Sequence, residues 1–189
     1  MITNKRDDVL DAALILFAER GFDGTTIPMI ADKAKVGAGT IYRYFENKEA
    51  LFNWLFQYWV TRLSEIVKDN FPNDLTNIRL HHRHIFFQII QFVNHNEHAL
   101  HFIDSHCSTH YLDEKSQKLF ADFLEFLRSI LERGKKQGDI CSMPADALIA
   151  IVYGAIVQLF KLMRMNILEE TPELLVNIEE CCWNAIKAH

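Results

Sequence analysis

The sequence predicts an all-α protein of about nine helices, and three observations predict it. Only seven Gly and four Pro occur in 189 residues, with long stretches free of both, so little interrupts the backbone. Apolar residues recur at three- and four-residue spacing in segment after segment. Residues suited to helix ends fall where those segments begin and stop, Thr26, Asn47 and Thr171 opening them and Gly21 and Gly138 closing them. Composition agrees: 49% of residues are apolar and 24% charged, enough of each to bury a core and stay in solution.

The first helix is expected over Asn4–Arg20. Asp7 and Asp8 complement its positive end, and Val9, Leu10, Ala13, Leu14 and Phe17 form its inner stripe. Gly21 supplies the left-handed cap, after which Phe22 folds back onto the stripe. Lys5 and Arg6 stand where they can add phosphate contacts.

Residues 25–51, TTIPMIADKAKVGAGTIYRYFENKEAL, read as two short helices joined by a three-residue turn and followed by a third helix start. Thr26 is the N-cap and Pro28 lies in the first turn, where its missing N–H costs nothing. Ile27, Ile30, Ala31 and Ala34 make one apolar stripe, which stops at Lys35-Val36-Gly37. A second short helix, about Ala38–Tyr44, turns Ile41 and Phe45 inward. Helix, Gly-containing turn, helix is the outline of a DNA-reading helix-turn-helix, and also of an ordinary helical hairpin with a polar outer face. Under the first reading Ala38 and Gly39 are small enough to enter a major groove, and Thr40, Tyr42, Arg43 and Tyr44 offer hydroxyls and a guanidinium to phosphates and base edges. Thr26 and Lys48 suit phosphates on either side.

GTIYRYFENKEAL, preceded by GFDGTT and IADKAKVGA, resembles the N-terminal domain of the TetR/AcrR family of bacterial transcriptional regulators. Tyr42-x-Tyr44-Phe45, Lys48 and Leu51 at fixed distance, Gly21-Phe22 and Thr25-Thr26 carry the resemblance, which covers residues 5–55. The remainder matches in length and helical character. Many members carry Ser/Thr then Lys where this chain has Gly37-Ala38, so base readout is expected to lean on Arg43 and the two tyrosines. The DNA-facing set is then Thr26, Gly37, Ala38, Gly39, Thr40, Tyr42, Arg43, Tyr44 and Lys48. The resemblance divides the chain into a helix-turn-helix domain over 1–47 and an effector-binding and dimerisation domain over 48–189, linked by the fourth helix.

That fourth helix runs from Asn47 to about Asp69, a rod over about 30 Å long, and Phe71-Pro72 stops it. A fifth is expected over Asp74–Asn96, a sixth over Glu97–Cys107, and a seventh from Glu114 to Lys136, ending at Gly138. The eighth, Ala145–Met165, is apolar nearly all round from Ala147 to Val157, the mark of a helix buried on every side. That run is too short to span a bilayer of about 30 Å and ends at Gln158. The ninth opens at Thr171-Pro172 and runs to Lys187. The last two helices cannot both bury their apolar surface within one chain, so they are expected to pair with their copies as a four-helix bundle; otherwise the eighth is simply the central core helix.

Formal net charge is −5. Residues 1–48 hold seven Lys/Arg and seven Asp/Glu, so the excess acid lies behind the helix-turn-helix and keeps the body off phosphates. No signal peptide is evident in the polar Met1–Asp8, and the four cysteines have no zinc-site spacing, which points to a reducing cytoplasm. Eight of the nine histidines fall between positions 81 and 110. His95, His98 and His101 recur every three residues, a spacing that could set metal ligands on one helix face; the plainer reading is solvated or core-edge histidines, with no metal. Resemblance to the family implies a ligand cavity among the fourth to eighth helices, with Trp59, Phe86, Ile90, Phe102, Phe123, Tyr153 and Gln158 as candidates for a hydrophobic effector.

The function expected is a homodimeric regulator, an effector-released repressor on a palindromic double-stranded operator, with no cofactor and no membrane partner. The competing reading keeps the head and makes the histidine-rich middle a metal or redox sensor. A small helical enzyme comes last, because no nucleophile elbow, phosphate loop or acid pair stands out.

Overall fold

The computed structural model describes residues 5–188, and within them the chain forms nine helices and no strand. They are α1 Lys5–Arg20, α2 Ile27–Lys33, α3 Ala38–Tyr42, α4 Lys48–Lys68, α5 Ile78–His95, α6 Glu97–His106, α7 Glu114–Gln137, α8 Ala145–Arg164 and α9 Pro172–Ile186. Asn4, the expected start of the first helix, lies outside the described residues. The chain divides into two compact units, and the division falls inside α4, α5 and α7 rather than in loops.

The first unit holds residues up to Glu65 together with Phe92–Ala121. α1 buries Val9, Ala13 and Phe17 completely and packs against α2, α3 and α6. Its centre is aromatic. Phe52 lies edge-on to Phe17 at 5.1 Å and to Phe102 at 5.2 Å, and Phe56 meets Phe102 at 6.2 Å. Such pairs add about 0.5–1.5 kcal/mol each beyond the area they bury. Asn47 Oδ1 accepts from the Ala50 amide at 2.7 Å and starts α4. Asp113 does the same for α7, accepting from the Ser116 amide at 2.7 Å.

The second unit holds Ile66–Gln91 and the residues from Asp122 onward. Ile78, Ile140, Leu148 and Ile186 form a core cluster. Gly134 is needed there, since a Cβ would come within 2.5 Å of Ile140 Cγ1 and 3.0 Å of Ile78 Cγ2. The tail is pinned by a bridge between Ile140 and Lys187, with the Cys141 amide donating to the Ile186 carbonyl at 3.0 Å. α8 and α9 pack together.

Two expectations need correction. α5 starts at Ile78, not Asp74, because Asp74 Oδ1 takes the Thr76 amide at 3.0 Å in a local turn and leaves the cap to Asn77, whose Oδ1 accepts from Leu80 at 2.9 Å. α8 is not enclosed on every side, and its apolar character does not stop at Gln158, since Leu159, Phe160, Leu162 and Met163 continue it. The 20-residue helix is therefore long and apolar enough, by length and composition, to cross a membrane, yet only 22% of its most apolar window is buried within this chain. The apolar pattern marks a surface that this chain alone does not cover.

Candidate nucleic-acid interface

The helix-turn-helix is set by its caps. Thr26 is extended and its hydroxyl accepts the Met29 amide at 3.4 Å, opening α2 with Pro28 in the first turn. α2 ends in a Schellman motif, the Val36 amide returning to the Ala31 carbonyl at 3.0 Å and Lys35 to Asp32 at 3.1 Å. The left-handed residue is Lys35, at φ 54°, whereas Gly37 is an ordinary extended N-cap at φ −72°. The turn therefore bends without using its glycine, and Lys35 carries roughly 1 kcal/mol of backbone cost or more.

Nothing among the described residues asks for smallness at Gly37 or Gly39, because a Cβ on either would meet none of their atoms within 4 Å. Both, with Ala38, are exposed at the start of α3, and Thr40 is half-buried. Ile41 is fully buried and Phe45 nearly so, which anchors the inner side. Tyr42 is 56% exposed, Tyr44 and Arg43 are exposed, and none of the three side chains has a hydrogen-bond partner among the described residues. α3 spans five residues and ends at Tyr42, so Arg43 and Tyr44 follow it in a turn.

Lys48 is engaged within the chain. Its ammonium donates to the carbonyls of Phe22 at 2.9 Å and Thr25 at 3.0 Å and stands 3.9 Å over the Phe22 ring. Thr25 is buried, and its hydroxyl donates to Leu16 and Gly21 carbonyls. Arg6 lies over the Trp54 ring at 4.3 Å.

Two groups in the same unit carry no signal in the motif. Asn53, on the buried side of α4, donates to the Tyr111 carbonyl at 2.8 Å and accepts from the Asp113 amide at 2.8 Å. Tyr111 stacks on Phe22 at 4.1 Å and its hydroxyl donates to the Asp23 carboxylate. A lone amide between Phe52 and Leu55 on an apolar stripe was the one available hint.

The histidine spacing does not produce a ligand set. His95 is the last residue of α5, whereas His98 and His101 belong to α6, so the three-residue repeat is broken by the bend at Asn96. Among the described residues no three His, Cys, Asp or Glu side chains are placed to hold a metal ion. Several histidines serve the core instead. Burial pushes His81, His82 and His106 below the usual histidine range. His82 Nδ1 is 2.8 Å from Glu179, which Arg79 also grips with both terminal nitrogens. Burial works against the Glu179 charge, but these partners hold its carboxyl below the usual carboxylate range.

Of the candidate pocket residues, Trp59 and Phe102 fall in the first unit, and Phe86, Ile90, Phe123, Tyr153 and Gln158 in the second. Phe86, Ile90, Phe102 and Phe123 are buried, Trp59 and Tyr153 half-buried, and Gln158 exposed. The Trp59 indole nitrogen is buried without a hydrogen-bond partner.

Two family descriptions match this chain, and together they cover residues 9–188. The family description "Bacterial regulatory proteins, tetR family" matches residues 9–55, and "Tetracyclin repressor-like, C-terminal domain" matches 56–188. The HTH-type transcriptional regulator YhgD of Bacillus subtilis is 28% identical over 142 residues, 74% of each chain. A probable acrEF/envCD operon repressor of Escherichia coli K12 is 40% identical over 67 residues, 34% of this chain and 29% of that one. A TetR family transcription regulator from Marinobacter aquaeolei superimposes with a TM-score of 0.81 at 22% identity, over 98% of this chain and 96% of that chain.

Proposed function

The chain belongs to the TetR family of bacterial regulatory proteins, and from that premise we propose how it acts as a DNA-binding transcriptional regulator. Regulators of this family bind DNA operators and typically act as dimers with small-molecule effectors. Two copies here pair through α8 and α9 and set their α3 helices in successive major grooves of a palindromic operator, half-sites about 34–36 Å apart. Gly37, Ala38 and Gly39 let the backbone approach; Arg43 reads a base edge; Thr26, Thr40, Tyr42 and Tyr44 hold phosphates. Lys48 acts mainly by fixing the turn that carries Thr26.

The observation that carries this reading is the exposed, uncrowded start of α3 beside three unpartnered polar side chains. Smallness that no internal packing demands serves an outside surface. The protein works in the cytoplasm as a repressor without catalytic activity. Residues 1–47 form its reading head, and 48–189 bind a hydrophobic effector and dimerise. The effector is taken up by residues 48–189 and releases DNA by preferring the other conformation.

Selection of bound fragments from a genomic pool tests the reading. A two-fold-symmetric site is expected, with affinity falling steeply as salt rises. Recovery of no fragment at low salt, or of fragments without symmetry, would sink it.

A further inference from the structure

Asn53 is 6% exposed, and its amide is full. Nδ2 donates to the Glu49 carbonyl at 3.0 Å and the Tyr111 carbonyl at 2.8 Å; Oδ1 accepts from the Asp113 amide and the Ser116 hydroxyl, both at 2.8 Å. One side chain on α4 thus holds the loop that leaves α6 and the first turn of α7. From that loop Tyr111 reaches the turn after α1, with its ring on Phe22 at 4.1 Å and its hydroxyl on the Asp23 carboxylate. Phe22 is the residue whose carbonyl and ring hold Lys48, and Lys48 also holds Thr25, beside the Thr26 cap of α2. The contacts form one unbroken path from α7 to the start of the helix-turn-helix, within a single compact unit.

We propose that Tyr111 and Asn53 are positioning residues for DNA reading: they tie the α6–α7 loop to the head, so that displacement of the loop displaces α2 and α3. The proposal rests on the reading of residues 38–44 as DNA-facing. Packing of α1 on α6 alone would hold the head in place but allow sliding. A saturated amide does not, since any shift of residues 111–113 leaves buried polar atoms unpaired. Coupling of this kind is reciprocal, so DNA on the head must steady the loop as much as the loop steadies the head.

Amide hydrogen exchange on the full chain, with and without a selected operator fragment, tests this. In the wild type, operator should slow exchange over residues 107–116 about tenfold, although those residues lie outside the proposed DNA-facing set. Tyr111→Ala and Asn53→Ala should abolish that slowing and weaken operator binding by a similar factor. Tyr111→Phe, which keeps the ring and loses the hydroxyl, should fall between. Should the alanine variants fail to fold, Tyr111→Phe and Asp23→Asn carry the test: each should reduce the slowing equally, and their combination no further. A loop indifferent to operator in a wild type that binds it overturns the proposal, as does a slowing that survives these changes. A wild type that holds no fragment fails the DNA reading first and this proposal with it.

Discussion

Lys48 is joined to Phe22 twice, its ammonium donating to the Phe22 carbonyl at 2.9 Å while standing 3.9 Å above the ring of the same residue. Twenty-six residues separate them in sequence, so this contact fixes the start of α4 against the end of α1.

Lys48→Ala should therefore cost stability as well as DNA affinity. Loss of charge-assisted bonds to two carbonyls predicts about 1–3 kcal/mol, read from urea midpoints. Lys48→Met, which keeps the stem over Phe22, should recover less than half. If Lys48→Ala left stability unchanged and weakened only operator binding, the residue would be a phosphate contact alone.

Within α3 and the turn after it, Tyr42→Phe and Tyr44→Phe should weaken binding to all sequences alike, by about 1 kcal/mol each. Arg43→Ala should also relax base preference at one position of each half-site, which a panel of operator variants would reveal. Equal losses across the panel for Arg43→Ala would remove its base-reading role.

Stability should fall as the solution is acidified through the histidine range. Burial holds His81, His82 and His106 below 6.5 in the folded chain, so the unfolded chain takes up protons first. The stabilisation is complete well above 6.5 and is lost progressively as pH falls through 6.5 toward the lower folded values. Urea midpoints at about pH 7.5, 6.5 and 5.5 should decline in that order, and His106→Leu should flatten the decline. A midpoint that stays level over that span would show these rings protonating freely in the folded state.

Gly154 tests the dimer. A Cβ there meets nothing within 4 Å among the described residues, and Ile151 nearby on α8 is 38% exposed. Gly154→Leu should leave the monomer as stable or slightly more so, by up to about 1 kcal/mol from helix propensity. It should nevertheless weaken dimerisation at least about tenfold by sedimentation, and operator binding with it. A dimer that tolerates both Gly154→Leu and Ile151→Glu would place the subunit contact elsewhere.

Much of the head was legible because its signals are local. The Thr26 cap, Pro28, the Asn47 cap and the inward pair Ile41 and Phe45 each act within four residues, and the family string rides on them. The turn itself is less legible: Gly37 is an ordinary extended N-cap, and the bend is made by Lys35. Pairings across long separations could not be read. Asn53 finds Tyr111 58 residues on, and Arg79 finds Glu179 100 residues on. A carboxylate in the inner stripe of α9, with Leu175, Cys182 and Ile186, announces that a partner exists without naming it. For α8, uniform apolarity left two readings open, a central core helix or a helix whose surface one chain cannot bury, and the 22% burial of its apolar window speaks against the first.

Glu179 also limits how this protein can be rebuilt. It is fully buried, and Arg79 and His82 on α5 are its answer. A hybrid regulator that borrowed its last helix from a relative would leave Arg79 and the buried His82 ring without their carboxylate, and the reverse graft would strand Glu179 in the interior, at a cost of about 3–5 kcal/mol. Positions 79, 82 and 179 must therefore be transplanted as a set, and any graft junction should fall outside the span they enclose.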